Sequence, residues 1–244
     1  MELPDILADQ REFLESSLQP SAEITFERRA TKPWESKLGG CPYLESAEDY
    51  PCDDEGRPMM FFAQLNMAEV PPLPDFPRQG LLQFYVTDND MLGLDAPCVV
   101  RYIPDFHTDE SRLLTENPFR EEFREREPFY HDGAMHFELR QMPITTECGA
   151  FQDAFEEDLS AEQNDALYDI CYAEGSRVGG YPLFVQSAPL YYEDGDCDVL
   201  LLQLDTDEVC GMMFGDAGNC NFFISREALK NCDFSEVEYD WQCC

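Results

Sequence analysis

The six-residue stretch Gly39-Gly40-Cys41-Pro42-Tyr43-Leu44 has a similar counterpart at Gly179-Gly180-Tyr181-Pro182-Leu183-Phe184. We call these two stretches the first phrase and the second phrase. Similar blocks of sequence follow each of them in the same order. An apolar block containing Gln64 begins downstream of the first phrase, and an apolar block containing Gln203 begins downstream of the second. A third pair of blocks follows at 80–86 and at 218–224. The repeated order predicts an internally duplicated chain.

The pattern of apolar residues predicts mostly strands. Alternating or continuous short apolar runs predict strands at 22–29, 59–66, 80–87, 98–103, 135–142, 182–186, 198–205, 219–224 and 237–243. Helical spacing predicts helices at 3–18, 112–127 (split by Pro118), 151–174 and 226–231. Few helices between groups of strands indicate an α+β fold with two related, mainly antiparallel β-sheet halves in one compact unit.

The boundary between the halves is expected at 143–150, where a stretch with proline and threonine separates a strand from a helix. The predicted organisation is an N-terminal helix (1–20), a first half (21–145) and a second half (146–244). Ser160 and Gln163 form a predicted capping box, Gly175 suits the position after a helix, and Ser225 caps the next helix.

The formal charge of −35 is the most unusual bulk property, with 51 acidic and 16 basic residues. Such a surface repels nucleic acid and anionic membranes and favours a basic protein, or dissolved cations, as partners. Solubility alone is the simpler explanation of the same charge. The composition is 43% hydrophobic, enough apolar material for a core, so a disordered chain is not expected.

The eleven cysteines include no CxxC pair, and the N-terminus has neither the basic nor the apolar region of a signal peptide. No apolar run approaches the length of a membrane span. We therefore expect free thiols in a reducing cytoplasm, used mainly as small apolar residues. The sequence does not indicate the oligomeric state.

The chain contains several short blocks in a defined order: Ser36-Lys37-Leu38-Gly39-Gly40 before Pro42, Ala63-Gln64-Leu65-Asn66, Gly80-Leu81-Leu82-Gln83-Phe84, Leu202-Gln203-Leu204-Asp205, Phe214-Gly215-Asp216-Ala217-Gly218 and 233–243. In this order they resemble the YwqG-like family of bacterial proteins, from about residue 20 to the end. The family often has tryptophan where this chain has Phe214. The resemblance implies a cytoplasmic domain of unknown function, with no catalytic residue to carry over.

The glycine pairs Gly39-Gly40 and Gly179-Gly180 allow two interpretations. Their N–H groups could cradle an anion, or the glycines could simply supply the positive φ that a turn needs. We favour the turn, because neither phrase has the lysine and hydroxyl residue of a P-loop.

Gln64 and Gln203 each place one amide inside an apolar strand, and a buried amide needs hydrogen-bond partners. Either each glutamine holds a loop backbone, which we favour, or it lines a pocket between the halves together with Asp216. Gln83 and Asn221 fit the same pattern. The candidate ligand-binding residues are Gln64, Gln203, Asp216, Gly39, Gly40, Gly179 and Gly180.

No metal or cofactor is predicted. The stretch Asp194-Gly195-Asp196-Cys197-Asp198 has oxygen ligands at alternate positions but fails the EF-hand pattern, so a solvated turn is expected, with weak cation binding as the alternative. His107, His131 and His136 have no zinc spacing, and the sequence contains no standard catalytic motif.

These observations favour a non-catalytic acidic binding protein, for example an immunity-like inhibitor that covers the basic face of a toxin or nuclease. The alternative is an enzyme or small-ligand sensor with a cleft between the two halves, since domain interfaces often form pockets.

Overall fold

The structure is a computed structural model that describes residues 3–155, 159–193 and 197–243. Its strands are Gln19–Glu27 (β1), Lys37–Leu38 (β2), Met60–Asn66 (β3), Leu81–Val86 (β4), Cys98–Ile103 (β5), Gly133–Met142 (β6), Arg177–Gly179 (β7), Val199–Asp205 (β8), Asn219–Ile224 (β9) and Glu238–Gln242 (β10). Its α-helices are Arg11–Ser16 (α1), Arg120–Phe123 (α2), Gly149–Phe155 (α3), Ala161–Cys171 (α4), Leu190–Glu193 (α5) and Arg226–Lys230 (α6). Short 3-10 helices lie at Asp5–Leu7, Ala47–Asp49 and Glu110–Arg112.

All ten strands belong to one sheet in the order β10-β9-β8-β7-β1-β6-β2-β3-β4-β5, and every adjacent pair is antiparallel. The long strands β1 and β6 pair at the centre, from Gln19 opposite Met142 to Glu27 opposite Ala134. An arm carrying the first phrase (β2 to β5) extends from β6, and an arm carrying the second phrase (β7 to β10) extends from β1. The mainly antiparallel α+β fold predicted from the sequence is confirmed in this coarse form.

The two ends of the sheet lie close together. The Cys98 thiol at the start of β5 donates to the carbonyl of Val237, just before β10, at 3.2 Å. The Tyr239 hydroxyl donates to the Leu92 carbonyl at 2.9 Å. The sheet therefore curves around one large apolar core, which contains Phe62, Phe84, Phe222 and other buried residues of both arms.

A layer of helices packs beside the sheet around a smaller apolar cluster. The cluster joins the N-terminal segment to α3 and α4 through Leu7, Leu14, Ile144, Cys148, Phe151, Leu167 and Cys171. The Phe13 and Phe155 rings meet edge to face with centroids 4.9 Å apart. We call residues 3–18 and 144–174, where described, the helical layer. No helix in the described part of the chain is long and apolar enough to cross a membrane.

Local sequence signals predicted several elements well. The strands at 98–103 and 219–224 have the predicted bounds. The capping box is confirmed: the Ser160 side chain accepts from the Gln163 N–H, and Gln163 bonds back to the Ser160 N–H. The Ser225 cap on α6 is also confirmed.

Other predicted elements were wrong in extent. The predicted helix at 3–18 is a 3-10 turn and the short α1, and Pro20 lies within β1. Only Arg120–Phe123 is α-helical within 112–127, because Pro118 and the Asn117 side chain, which accepts from the Phe119 N–H, start a new turn. The predicted helix at 151–174 is two helices, α3 and α4, and Gly175 lies beyond the Tyr172 cap.

The predicted strand at 182–186 is absent, and the short strand β7 lies before the second phrase instead. Pro182 has no N–H to give to a ladder, and the Leu183 N–H is bound by the Gln203 side chain at 2.7 Å. This short apolar run is buried, and a side chain rather than a neighbouring strand binds its backbone. Its sequence pattern is the same as that of a buried strand, and so a strand was predicted.

Candidate functional site

Gln64 is fully buried on β3 and uses its whole amide to hold the loop around the first phrase. Its Oε1 accepts from the Tyr43 N–H at 2.9 Å. Its Nε2 donates to the carbonyls of Pro33 at 2.8 Å and Glu35 at 2.9 Å. Gln83 on β4 donates to the same Oε1 at 3.0 Å. The predicted backbone clamp is therefore what this glutamine forms.

Gln203 makes the same type of contacts at the second phrase, and it is also fully buried. Its Oε1 accepts from the Leu183 N–H at 2.7 Å. Its Nε2 donates to the carbonyls of Ala173 at 3.1 Å and Gly175 at 2.7 Å. Both glutamines thus bind one N–H after the glycine pair and two carbonyls before it.

The glycine pairs adopt the conformation that the turn interpretation predicts. The φ angles are 61° at Gly39, 74° at Gly40, 69° at Gly179 and 73° at Gly180, a region that other residues rarely adopt. Space is limiting as well. A Cβ at Gly39 would lie 2.6 Å from the Phe129 ring, and one at Gly180 would lie 2.5 Å from the Met142 sulfur.

A buried cation lies two residues before each glycine pair. Lys37 is 2% exposed, and its Nζ donates to the carbonyls of Lys32 at 2.6 Å, Pro33 at 3.0 Å and Cys41 at 3.2 Å. Burial lowers the pKa of Lys37 to about 8. Its three N–H donors are all used by loop carbonyls.

Arg177 occupies the corresponding place before the second phrase and is 3% exposed. Its guanidinium donates to the carbonyls of Glu174, Gly175 at 3.2 Å and Tyr181 at 3.3 Å. Burial lowers the pKa of Arg177 to about 10. In both arms a buried cation therefore binds carbonyls on either side of the glycine pair.

Serine and amide residues complete each clamp. The Ser36 hydroxyl accepts from the Asn66 N–H at 2.8 Å, and the Ser176 hydroxyl accepts from the Asp205 N–H at 3.0 Å. Gln83 donates to the Tyr43 carbonyl at 2.9 Å, and Asn221 donates to the Leu183 carbonyl at 3.2 Å. We call the two sets of contacts the first clamp and the second clamp.

A cavity of about 480 Å³ lies beside the first phrase, lined by Lys37, Gly40, Cys41 and charged residues. Burial raises the pKa of the Cys41 thiol to about 11, so it is protonated at neutral pH. Four other charged side chains pair with one another: Arg29 Nη1 with Glu35 Oε2 at 3.0 Å, and Lys32 Nζ with Glu110 Oε1 at 2.5 Å. Asp132, also in the lining, pairs with Arg120. The Cys41 thiol is therefore not an activated nucleophile at neutral pH, and the Lys37 amine is held by three loop carbonyls.

A second cavity, of about 460 Å³, lies beside the second clamp and is lined by Asp205, Gly175 and Ala217. Burial raises the pKa of Asp205, while its Oδ2 accepts from the Gly175 N–H at 2.6 Å. Asp216 is exposed and does not line this cavity. Neither Gln64 nor Gln203 lines the cavity beside its phrase, so the structure does not bring these two glutamines and Asp216 into one pocket.

The helical layer is the feature that our sequence reasoning did not single out. The described residues of this layer include ten acidic residues and one basic residue, Arg11. Arg11 is already paired with Glu15 at 3.1 Å. The sequence signal that could have indicated this acidic surface is the absence of lysine, arginine and histidine from 143 to 176. The composition of the whole chain does not show it, because basic residues occur elsewhere.

Helix α4 presents the best-defined part of this acidic surface. Glu162, Asp165 and Asp169 are exposed and form no ion pair with a described residue. Tyr168 lies among them with 49% of its surface exposed, and its ring stacks on that of Tyr172 with centroids 4.6 Å apart. The opposite side of α4 is buried through Leu167 and Cys171, so the helix turns its charge outward.

The described residues contain no group of three or more His, Cys, Asp or Glu that could hold a metal ion. His107 lies 3.3 Å from Glu45, and His136 lies 3.0 Å from Glu27. The possible cation ligands Asp194 and Asp196 lie outside the described residues.

Comparison with known proteins gives one family. Residues 36–243 match the family described as "Domain of unknown function (DUF1963)". No curated protein matches the chain. The matched range includes the second clamp, the clamping side chains of the first clamp and most of the sheet, and it begins after β1.

Proposed function

This chain belongs to the DUF1963 family, a domain of unknown function, and we propose from its own surfaces that it is a non-catalytic binding protein for a basic protein partner. The helical layer is the docking surface in this proposal. The observation that carries it is the exposed, unpaired acidic side of α4 around Tyr168.

The composition of this surface suits an interface. Exposed tyrosines often supply much of the binding energy at protein interfaces, because a rigid ring buries a large area at little entropic cost. Acidic side chains around Tyr168 would attract a basic partner at long range and speed association. The remaining charge of the molecule acts in the same direction.

The internal use of polar groups supports a non-catalytic role. Gln64, Gln203, Lys37 and Arg177 are the polar residues that stand out in the sequence and in the core, and each binds the backbone of its own chain. The polar groups that bind backbone in this way are not available to a substrate.

An immunity-like inhibitor is the most specific form of the proposal. A strongly acidic protein of this kind covers the basic face of a toxin or nuclease, which fits a cytoplasmic bacterial protein of the YwqG-like type that the sequence resembles. Such a partner binds nucleic acid or another anion through the surface that the helical layer would cover.

An internal duplication accounts for the two clamps, and the strand order supports it. The Met135 N–H on β6 donates to the Ser36 carbonyl at 3.2 Å, and the Ile24 N–H on β1 donates to the Ser176 carbonyl at 2.8 Å. In this view β6 completes the first arm, β1 completes the second, and the two strands pair at the centre. The expected division at 143–150 then separates the two halves in sequence. Strand β1 belongs to the first half in sequence but pairs with β7 of the second arm.

Affinity capture at low salt tests the proposed function. The wild-type protein is compared with the triple variant Glu162→Gln/Asp165→Asn/Asp169→Asn and with the control Asp54→Asn/Asp105→Asn/Glu236→Gln. Both variants lose three exposed carboxylates, so they have the same net charge.

We expect the wild type and the control to retain one specific basic partner, and the α4 variant to lose it. Equal capture by both variants would mean that only overall charge matters. Recovery of no specific basic protein by the wild type would contradict the proposal itself.

The alternative function, an enzyme or small-ligand sensor, is favoured by one observation. The cavity beside the first phrase has a volume in the range of small-molecule sites. Four of its charged side chains pair with one another, which is less favourable for a ligand. A screen of small anions that raised the melting temperature of the wild type, but not of a Gly40→Ala variant, would support this alternative.

A further inference from the structure

Strand β6 is central in the sheet order, yet much of one of its edges has no partner strand. On one side, residues Ala134 to Met142 of β6 pair with β1. On the other side the two-residue strand β2 reaches only Gly133 and Ala134. The last main-chain bond on that side is from the Met135 N–H to the Ser36 carbonyl, at 3.2 Å.

The direction of the remaining peptide groups follows from this bond. In a strand, the N–H and C=O of every second residue point to the same edge. Because the Met135 N–H points toward β2, those of Phe137, Leu139 and Gln141 point to the same edge, beyond the end of β2. We call the main-chain groups of these three residues the free edge.

The pairing of β1 with β6 gives an independent check. Ile24 is the register partner of Phe137, and its N–H donates away from β6, to the Ser176 carbonyl at 2.8 Å. Ile24 and Phe137 therefore form a non-hydrogen-bonded pair, in which both residues direct their main-chain groups away from each other. No hydrogen bond joins the N–H groups of the free edge to any other described residue.

The free edge is accessible. Residues 138–141 are all exposed, and Leu139 has 47% of its surface exposed although it follows the core-facing residues Met135 and Phe137. Exposed strand edges of this kind are templates for another strand unless they are blunted by charged side chains, proline, a bulge or a cover. The charged side chains here, Glu138 and Arg140, are of opposite sign and lie 3.0 Å apart. The β1–β6 register has no bulge, and β6 contains no proline.

We infer that the free edge of β6 is a binding site for an extended peptide segment of a partner protein, which adds a strand next to β6. Main-chain bonds to Phe137, Leu139 and Gln141 would provide affinity, and the side chains on either face would provide selectivity. Leu139 and Phe137 offer an apolar face to alternate residues of the peptide.

Charge defines the other face of the peptide. The outward side chains of β1 and β6 include three carboxylates, Glu23, Glu27 and Glu138. Arg140 lies between two of them, 3.4 Å from Glu23 and 3.0 Å from Glu138, so the acidic side chains remain in excess. A peptide with alternating apolar and basic residues is therefore the best match. A second copy of this chain is a poorer occupant, since each copy has a charge of −35.

The positive charge of the peptide rests on the proposed function, whereas the strand addition rests on the backbone alone. The probe is a short peptide of alternating lysine and valine, compared with the same peptide N-methylated at every residue. N-methylation keeps the charge of the peptide and removes every backbone N–H that could donate a hydrogen bond to β6. A threonine-valine peptide tests the contribution of charge.

We expect the N-methylated peptide to bind at least about tenfold more weakly, because its backbone can no longer donate hydrogen bonds to the carbonyls of the free edge. We also expect the unmodified peptide to slow amide hydrogen exchange at Phe137, Leu139 and Gln141. The variant Leu139→Pro, which removes one outward N–H, should reduce binding, while Leu139→Ala should keep the backbone contribution.

Equal binding of the methylated and unmethylated lysine peptides, or no protection of those three amides in the wild type, would overturn the inference. A charge-dependent but unlocalised association would still be compatible with the proposed function. Binding of the threonine-valine peptide at the free edge with the same affinity would support strand addition and contradict the basic nature of the partner. The exchange measurement uses the wild-type protein, so it decides the matter even if Leu139→Pro does not fold.

Discussion

The buried polar side chains of both clamps are bound to backbone groups of the chain itself. Gln64 satisfies an N–H and two carbonyls of the first clamp, and Gln203 does the same in the second. Unpaired backbone groups are costly when buried, so these amides stabilise loops that have no ladder to join.

The variant Gln64→Leu should therefore lower the free energy of unfolding by about 3 kcal/mol, since it leaves several buried groups unpaired. Urea denaturation measures the loss. The control is Gln152→Leu at an exposed position on α3, where little change is expected. A loss for Gln64→Leu no larger than that of the control would show that the clamp is not needed for stability.

Lys37 predicts a pH dependence of stability. Its pKa in the folded protein is about 8, below the usual 10.5, so the unfolded chain binds more protons between these two values. The stability of the wild type relative to Lys37→Met should therefore increase as pH rises from about 8 to 10.5, by up to about 3 kcal/mol.

Urea unfolding of both proteins at several pH values gives this difference, with Lys230→Met as the matched change at an exposed lysine. A relative stability that stayed flat or fell with rising pH would contradict the assignment. The difference between variants is needed because buried tyrosines and cysteines, whose pKa values are raised by burial, contribute the opposite slope in every variant.

Secondary structure elements show both the reach and the limit of sequence reasoning. Caps and regular strands depend on neighbouring residues, and so Ser160, Ser225 and the strand at 98–103 were predictable. The short strand β7 depends on distant β1 and β8, and the apolar run at 182–186 is buried without being a strand. Non-local contacts of this kind leave no local pattern.

The capping box at the start of α4 gives a prediction at this scale. The variant Ser160→Ala should lower the free energy of unfolding by about 1 kcal/mol, because it leaves the Gln163 N–H without its acceptor. Ser187→Ala, at an exposed loop position, is the control. Thermal unfolding monitored by circular dichroism measures the effect, and equal melting temperatures for the two variants would argue against the cap.

At the scale of the whole molecule, the sequence indicated an acidic protein with two related blocks but not where the charge concentrates. The backbone partners of Gln64 are 21 to 31 positions away in sequence, and the helical layer combines two segments that are far apart. Both arrangements exist only after folding. The sequence therefore predicted that Gln64 binds a loop backbone, but it could not indicate which groups or which surface.

The net charge of −35 also predicts a dependence of stability on salt. Repulsion among so many carboxylates destabilises the compact state, and salt screens it. The melting temperature should therefore rise from low to moderate concentrations of sodium chloride. A melting temperature that fell over this range would indicate that ion pairs within the fold outweigh the repulsion.

Zero-length carbodiimide cross-linking of the captured complex tests the central claim most directly, since it joins carboxylates to lysines in contact. The proposed docking surface predicts cross-links from Glu162, Asp165 or Asp169 on α4 to lysines of the basic partner, identified by mass spectrometry. Cross-links confined to acidic residues outside the helical layer, with none on α4, would contradict it.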